Sequence, residues 1–125
     1  MGLFRNREKE EKEYLESLDI DSMQNEDFCL EIEEPFVIVG VGTVVTGYVT
    51  SGMCRNNEIA ILQKANEEIE TRIMNIDVHT KMRRANGVAY RGEHVGIHIR
   101  GIAKEQVSKG DKLIVKRGER GKQRM

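Results

Sequence analysis

From Phe28 onward, apolar and polar positions alternate. Phe28, Leu30 and Ile32 are separated by Cys29, Glu31 and Glu33, the period of a strand with one buried face. Pro35 marks a break or an edge position, and Phe36-Val37-Ile38-Val39 continues the extended chain. Further strands are expected over Thr43–Thr50, Glu58–Leu62, Ile69–Val78 with an offset before Ile76, and His94–Ile99, with a last one over Lys112–Lys116. In His94–Ile99, Val95, Ile97 and Ile99 share one face, and His94, Gly96 and His98 share the other. Ser51-Gly52, Asn56-Asn57 and Asn66-Glu67-Glu68 supply turn chemistry. Lys104–Val107 suits one helical turn, and residues 79–91 read as a polar, basic connection around Asn86-Gly87. Short strands with regular turns and no substantial helix between them predict an all-β fold, an antiparallel barrel.

The segment Phe36–Gly52 begins as a dinucleotide fingerprint would, with an apolar strand entering Gly40-Val41-Gly42. That fingerprint requires a helix next, to aim its N-terminal N–H groups at a pyrophosphate. Thr43-Val44-Val45-Thr46 follows instead, and β-branched residues favour a second strand. The glycines therefore turn one strand into another, and no nucleotide site is expected here.

Residues 5–18 have the opposite character. They are rich in Glu, Lys and Leu without Gly or Pro, and Glu8 and Lys12 stand at i, i+4 spacing, so a helix is expected. Its apolar content is confined to Tyr14, Leu15 and Leu18. Either it is a solvated helix, or it docks through Tyr14 and Leu18 onto the barrel or onto a protein partner. A polar linker follows over Asp19–Asp27.

Charge divides along the same boundaries. Residues 1–27 carry nine acids and four bases, residues 28–115 eleven of each, and residues 116–125 five bases and one acid, so an overall charge of −1 conceals an acidic head and a basic tail. The expected organisation is an acidic helical leader and linker (1–27), a barrel (28–116) and a basic flexible tail (117–125).

The two cysteines, Cys29 and Cys54, have no CxxC spacing, so neither a zinc framework nor a disulfide is indicated. The N-terminus lacks the apolar core of a secretory signal, and no apolar run reaches the ~18 residues of a membrane span. A soluble, cytoplasmic protein without membrane attachment is expected. His94 and His98 lie four apart on one strand, roughly 13 Å at strand rise, too far to share an ion. No metal, cofactor or catalytic constellation is expected, and the chain reads as a non-enzyme.

Two blocks of sequence carry a resemblance. The first is Ile32-Glu33, Phe36, Ile38, Gly40 and Gly42-Thr43-Val44-Val45-Thr46-Gly47, with Val49 and Gly52. The second is Gly92-Glu93-His94-Val95-Gly96 with Arg100-Gly101-Ile102 and Lys109-Gly110. Together they make residues 28–116 similar to the second, β-barrel domain of elongation factor Tu and related translational GTPases. The resemblance implies a closed six-stranded antiparallel barrel. No GxxxxGK[ST] phosphate loop accompanies it, so GTP binding and hydrolysis are not expected.

In family members that bind aminoacyl-tRNA, this barrel helps hold the terminal adenosine. The resemblance places Glu33, Glu34, Phe36 and Ile38 at that site, where carboxylates would accept ribose hydroxyls and apolar side chains would cover the base. Val41 and Tyr48 replace arginines of the family pattern, and the segment Asp77-Val78-His79-Thr80 lacks a third; phosphate contacts should be fewer. Lys81, Arg83, Arg84 and Arg91, with the basic tail, are expected to form an alternative surface for tRNA or ribosomal RNA. Two readings stand open: a translation-related RNA-binding module, and a protein-interaction module that keeps the barrel without the RNA role.

Overall fold

The computed structural model describes residues 11–79 and 85–117. Residues 11–17 are helical (α1), and α2 (Ile20–Asn25) follows, opened by Asp19, whose side chain accepts the Ser22 backbone N–H. Among the described residues there are then eight strands: β1 (Phe28–Ile38), β2 (Gly42–Ser51), β3 (Met53–Arg55), β4 (Ile59–Gln63), β5 (Glu68–Val78), β6 (Val88–Tyr90), β7 (His94–Ile99) and β8 (Lys112–Val115). A single 3-10 turn, Lys104–Gln106, precedes β8. No helix among the described residues is long and apolar enough to cross a membrane.

Six strands close into a barrel in the order β1-β2-β7-β5-β4-β8, with every neighbouring pair antiparallel. The alternation in the sequence explains the wall. Phe28, Leu30 and Ile32 from β1, Val45 and Val49 from β2, Leu62 from β4, Ile73 and Ile76 from β5, Val95, Ile97 and Ile99 from β7, and Leu113 and Val115 from β8 fill the interior. Closure leaves few free strand edges, and side chains fill the lumen of a barrel this small. The expected offset in β5 is a register shift between Ile73 and Asn75, which lets both Ile73 and Ile76 face inward.

Pro35 does not break β1. The β8 pairing covers Phe28 to Glu31, so Pro35 stands where one side of the strand has no partner and its missing N–H is harmless. The segment 79–91 differs more from its sequence reading. It contains β6, which pairs with β3 as a separate two-stranded sheet. Three residues are too few to show a period, yet Cys54 and Ala89 of this pair are fully buried. Burial, and secondarily the Glu58 charge, pushes the Cys54 thiol well above its ordinary value, which leaves it neutral and chemically quiet.

The described part of the leader, residues 11–27, docks rather than standing free. Tyr14 donates its hydroxyl to Glu93 at 2.7 Å, and Glu93, only 4% exposed, also accepts the Tyr90 N–H. Met23 of α2 is buried, α2 lies against β3, and Glu26 accepts from both Gly52 N–H and Arg91. The helices thus cover the β3–β6 end of the molecule. Tyr14→Phe should lower stability by about 1 kcal/mol, since it removes one donor from a buried carboxylate; chemical denaturation would measure it.

Arg117, assigned from sequence to the basic tail, is joined to the barrel. Its guanidinium makes a two-pronged contact with Glu58 and donates to the Met53 carbonyl, and its backbone N–H donates to Asp27. The hydrogen bond to Glu58 holds the guanidinium above its usual range, against the opposing effect of burial.

Candidate functional site

The four residues singled out on β1 share the outer face of the barrel, and a bulge places them there. Strict alternation would send Glu33 and Glu34 to opposite sides. Instead the register shifts between Ile32, which pairs with Gly47, and Glu34, which pairs with Thr46. One extra residue is accommodated, so Ile32 points inward while both glutamates are exposed. Beyond the bulge, alternation resumes. Phe36 opposes Val44 and Ile38 opposes Gly42, and the two are 43% and 47% exposed.

The face continues across β2 to β7 and β5 in rows. Val44 of β2 opposes His98 of β7, and His98 opposes Asn75 of β5. Thr46 opposes Gly96, which opposes Asp77. Tyr48 opposes His94, and the His79 N–H just after β5 donates to the His94 carbonyl. Gly96 forms the floor between these rows. A Cβ there would lie 3.4 Å from the His79 ring and 3.5 Å from Val44, so larger side chains would displace the ring.

Around this floor the polar side chains are linked. Glu33 Oε1 lies 2.8 Å from His94 Nε2, and His94 Nδ1 lies 3.2 Å from His79 Nδ1. The Tyr48 ring meets His94 edge-on at 4.7 Å between centroids. Glu33 and Tyr48 also line a cleft of about 250 Å³ with Glu31, Thr50 and Lys109. A second groove of about 480 Å³ runs past Val41, Met74, His98, Arg100 and Ile102.

Of the residues predicted from sequence, Glu33, Glu34, Phe36 and Ile38 come together on one open face. The described part of the leader, residues 11–27, does not cover it, being docked at the β3–β6 end. Tyr48 stands beside the face, 53% exposed, and does not fill it. Lys81, Arg83 and Arg84 lie outside the described residues. The sequence reading missed His79 and His94 as neighbours. They are 15 residues apart, and only the register after the β5 bulge makes them meet. His94 and His98 do share the outer face, as their even spacing predicted, on different rows.

The hairpin joining β1 and β2 extends this face into an apolar tip. The Val41 N–H donates to the Ile38 carbonyl, and Gly40 has φ +82, as the third position of a type II turn requires. Val37, Val39 and Val41 are 59%, 96% and 48% exposed. No family model matches the chain.

Proposed function

We propose that the outer face binds an unpaired nucleoside at an RNA end, in a translation-related role in the cytoplasm, and that the protein is a binding module rather than an enzyme. The observation that carries this reading is the row Glu34, Phe36 and Ile38, which sets an exposed carboxylate beside an exposed aromatic ring on one open face. A carboxylate of this kind can accept the 2′- and 3′-hydroxyls of a terminal ribose, and a phenyl face can carry a base. The resemblance of residues 28–116 to translation-factor barrels supports the same choice of ligand.

The second reading, a protein-interaction module, is favoured by the hairpin tip. Three valines exposed together are the kind of apolar patch that partners cover.

Titrating the protein with fluorescently labelled tRNA at low salt, with its CCA end intact or enzymatically trimmed, separates the two. The intact end should bind more tightly, and Phe36→Ala should weaken it about tenfold, since stacking of one base on an aromatic ring contributes about 1–3 kcal/mol. Equal binding of trimmed and intact tRNA would remove the nucleoside reading. A complete lack of binding at low salt would remove the RNA role altogether.

A further inference from the structure

We propose that His79 and His94 form a two-imidazole site for a late first-row divalent cation, Zn²⁺ or Cu²⁺, on the outer face of the barrel. Their Nδ1 atoms face one another 3.2 Å apart across neighbouring strands. Two nitrogens bound to one tetrahedral ion at about 2.0–2.1 Å each would stand about 3.3 Å apart. The pair is therefore already at the spacing that a shared ion requires, and binding needs each ring to turn so that both lone pairs aim at one point off the N–N line.

The protonation pattern is favourable on one side. Glu33 approaches His94 at Nε2, and a carboxylate accepts a proton from that nitrogen. In the neutral ring this assigns the hydrogen to Nε2 and leaves a lone pair on Nδ1. A carboxylate behind a metal-bound histidine fixes ring orientation and raises its basicity. With that assignment, the His79 Nδ1–H is the donor to this lone pair in the metal-free pair. An entering cation takes the place of this proton, and the His79 hydrogen moves to Nε2.

Access and selectivity follow from the same geometry. His94 and Glu33 side chains are 27% and 49% exposed, and His79 is exposed, so an ion reaches the pair from solvent. Imidazole nitrogens suit Zn²⁺, Cu²⁺ and Ni²⁺, whereas Mg²⁺ and Ca²⁺ prefer oxygen donors. Among the described residues no group of three or more His, Cys, Asp or Glu side chains is placed to hold an ion. Among the described residues the site thus has two protein ligands, which leaves other positions for water or a donor atom of a bound ligand. That predicts exchangeable binding rather than a structural metal. The inference does not rest on the RNA reading, because it needs neither Glu34 nor Phe36.

Calorimetric titration of the untagged full chain with Zn²⁺ tests it. One equivalent should bind, Mg²⁺ should not, and His79→Ala and His94→Ala should each weaken Zn²⁺ binding at least ~10-fold. Glu33→Gln should weaken it about 10-fold, through the orientation of His94. His98→Ala, on another row of the same face, should leave it unchanged. Zn²⁺ binding that survives undiminished in the His79→Ala/His94→Ala double variant, or no uptake by the wild-type chain, would overturn the proposal. Nitrogen NMR of the wild-type imidazoles supplies a readout that needs no variant to fold. Zn²⁺ should shift Nδ1 of both His79 and His94, and shifts at Nε2 alone would count against the shared site.

Discussion

Gly47→Ala is expected to destabilise the protein by about 3 kcal/mol, lowering the midpoint of thermal unfolding by roughly 12–20 °C. Gly47 pairs with Ile32 at the edge of the β1 bulge. A Cβ built on it would lie 2.0 Å from the Glu31 carbonyl oxygen and 2.9 Å from the carbonyl carbon. Those atoms are backbone, held in a closed barrel, so no flexible side chain can swing aside. The strands would have to part, and the bulge that directs Glu33 and Glu34 outward would distort with them. Gly40→Ala is the informative control. There a Cβ meets nothing within 4 Å, but φ is +82, so the expected loss is only the ~1–2 kcal/mol of a left-handed backbone. Circular dichroism melts of the two variants decide the matter. A Gly47→Ala midpoint within a few degrees of wild type would show that β1 and β2 slide apart easily.

Arg117→Ala should destabilise by about 3 kcal/mol. Arg117 and Glu58 are only 15% and 16% exposed at their side chains. Removing the guanidinium leaves a largely buried carboxylate without its main partner and takes one donor from the Met53 carbonyl. The pH dependence has a definite sign. Because the folded guanidinium is held above its usual pKa, its contribution is fully present below the unfolded value and is lost only as pH rises through the higher folded one. For an arginine that window lies above the working range, so the deficit of Arg117→Ala should be the same at pH 6 and pH 9. A double-mutant cycle with Glu58→Gln, read by urea denaturation, would isolate the pair. Near-zero coupling would mean that the Arg117 guanidinium acts through the Met53 carbonyl and not through Glu58.

Most of the barrel was legible because its strands alternate cleanly. Val95, Ile97 and Ile99 against His94, Gly96 and His98 is a pattern with one solution, and the structure adopts it. The offset before Ile76 and the positive φ of Asn57 were also written in residue types. The face itself was only half legible. Glu33-Glu34-Pro35 contains no apolar residue to mark which side is inside, so the bulge left no trace in the hydrophobic pattern. The meeting of His79 with His94 depends on cross-strand register, which periodicity along one strand does not encode. β3 and β6 were missed for want of length. The docking of Tyr14 on Glu93 joins residues 79 apart in the chain, and no local rule reports such a pairing.

The β1 bulge also says something about how this surface could arise and be lost. Deleting Glu33 would leave Ile32 opposite Gly47 and Glu34 opposite Thr46, a regular ladder in which every later residue keeps its side. The barrel would survive the deletion, while His94 would lose its carboxylate and the histidine pair its anchor. A single codon therefore decides whether a carboxylate stands behind His94, while Glu34, Phe36 and Ile38 keep their places on the face. The partner of His94 can be gained or discarded on this scaffold without renegotiating the fold.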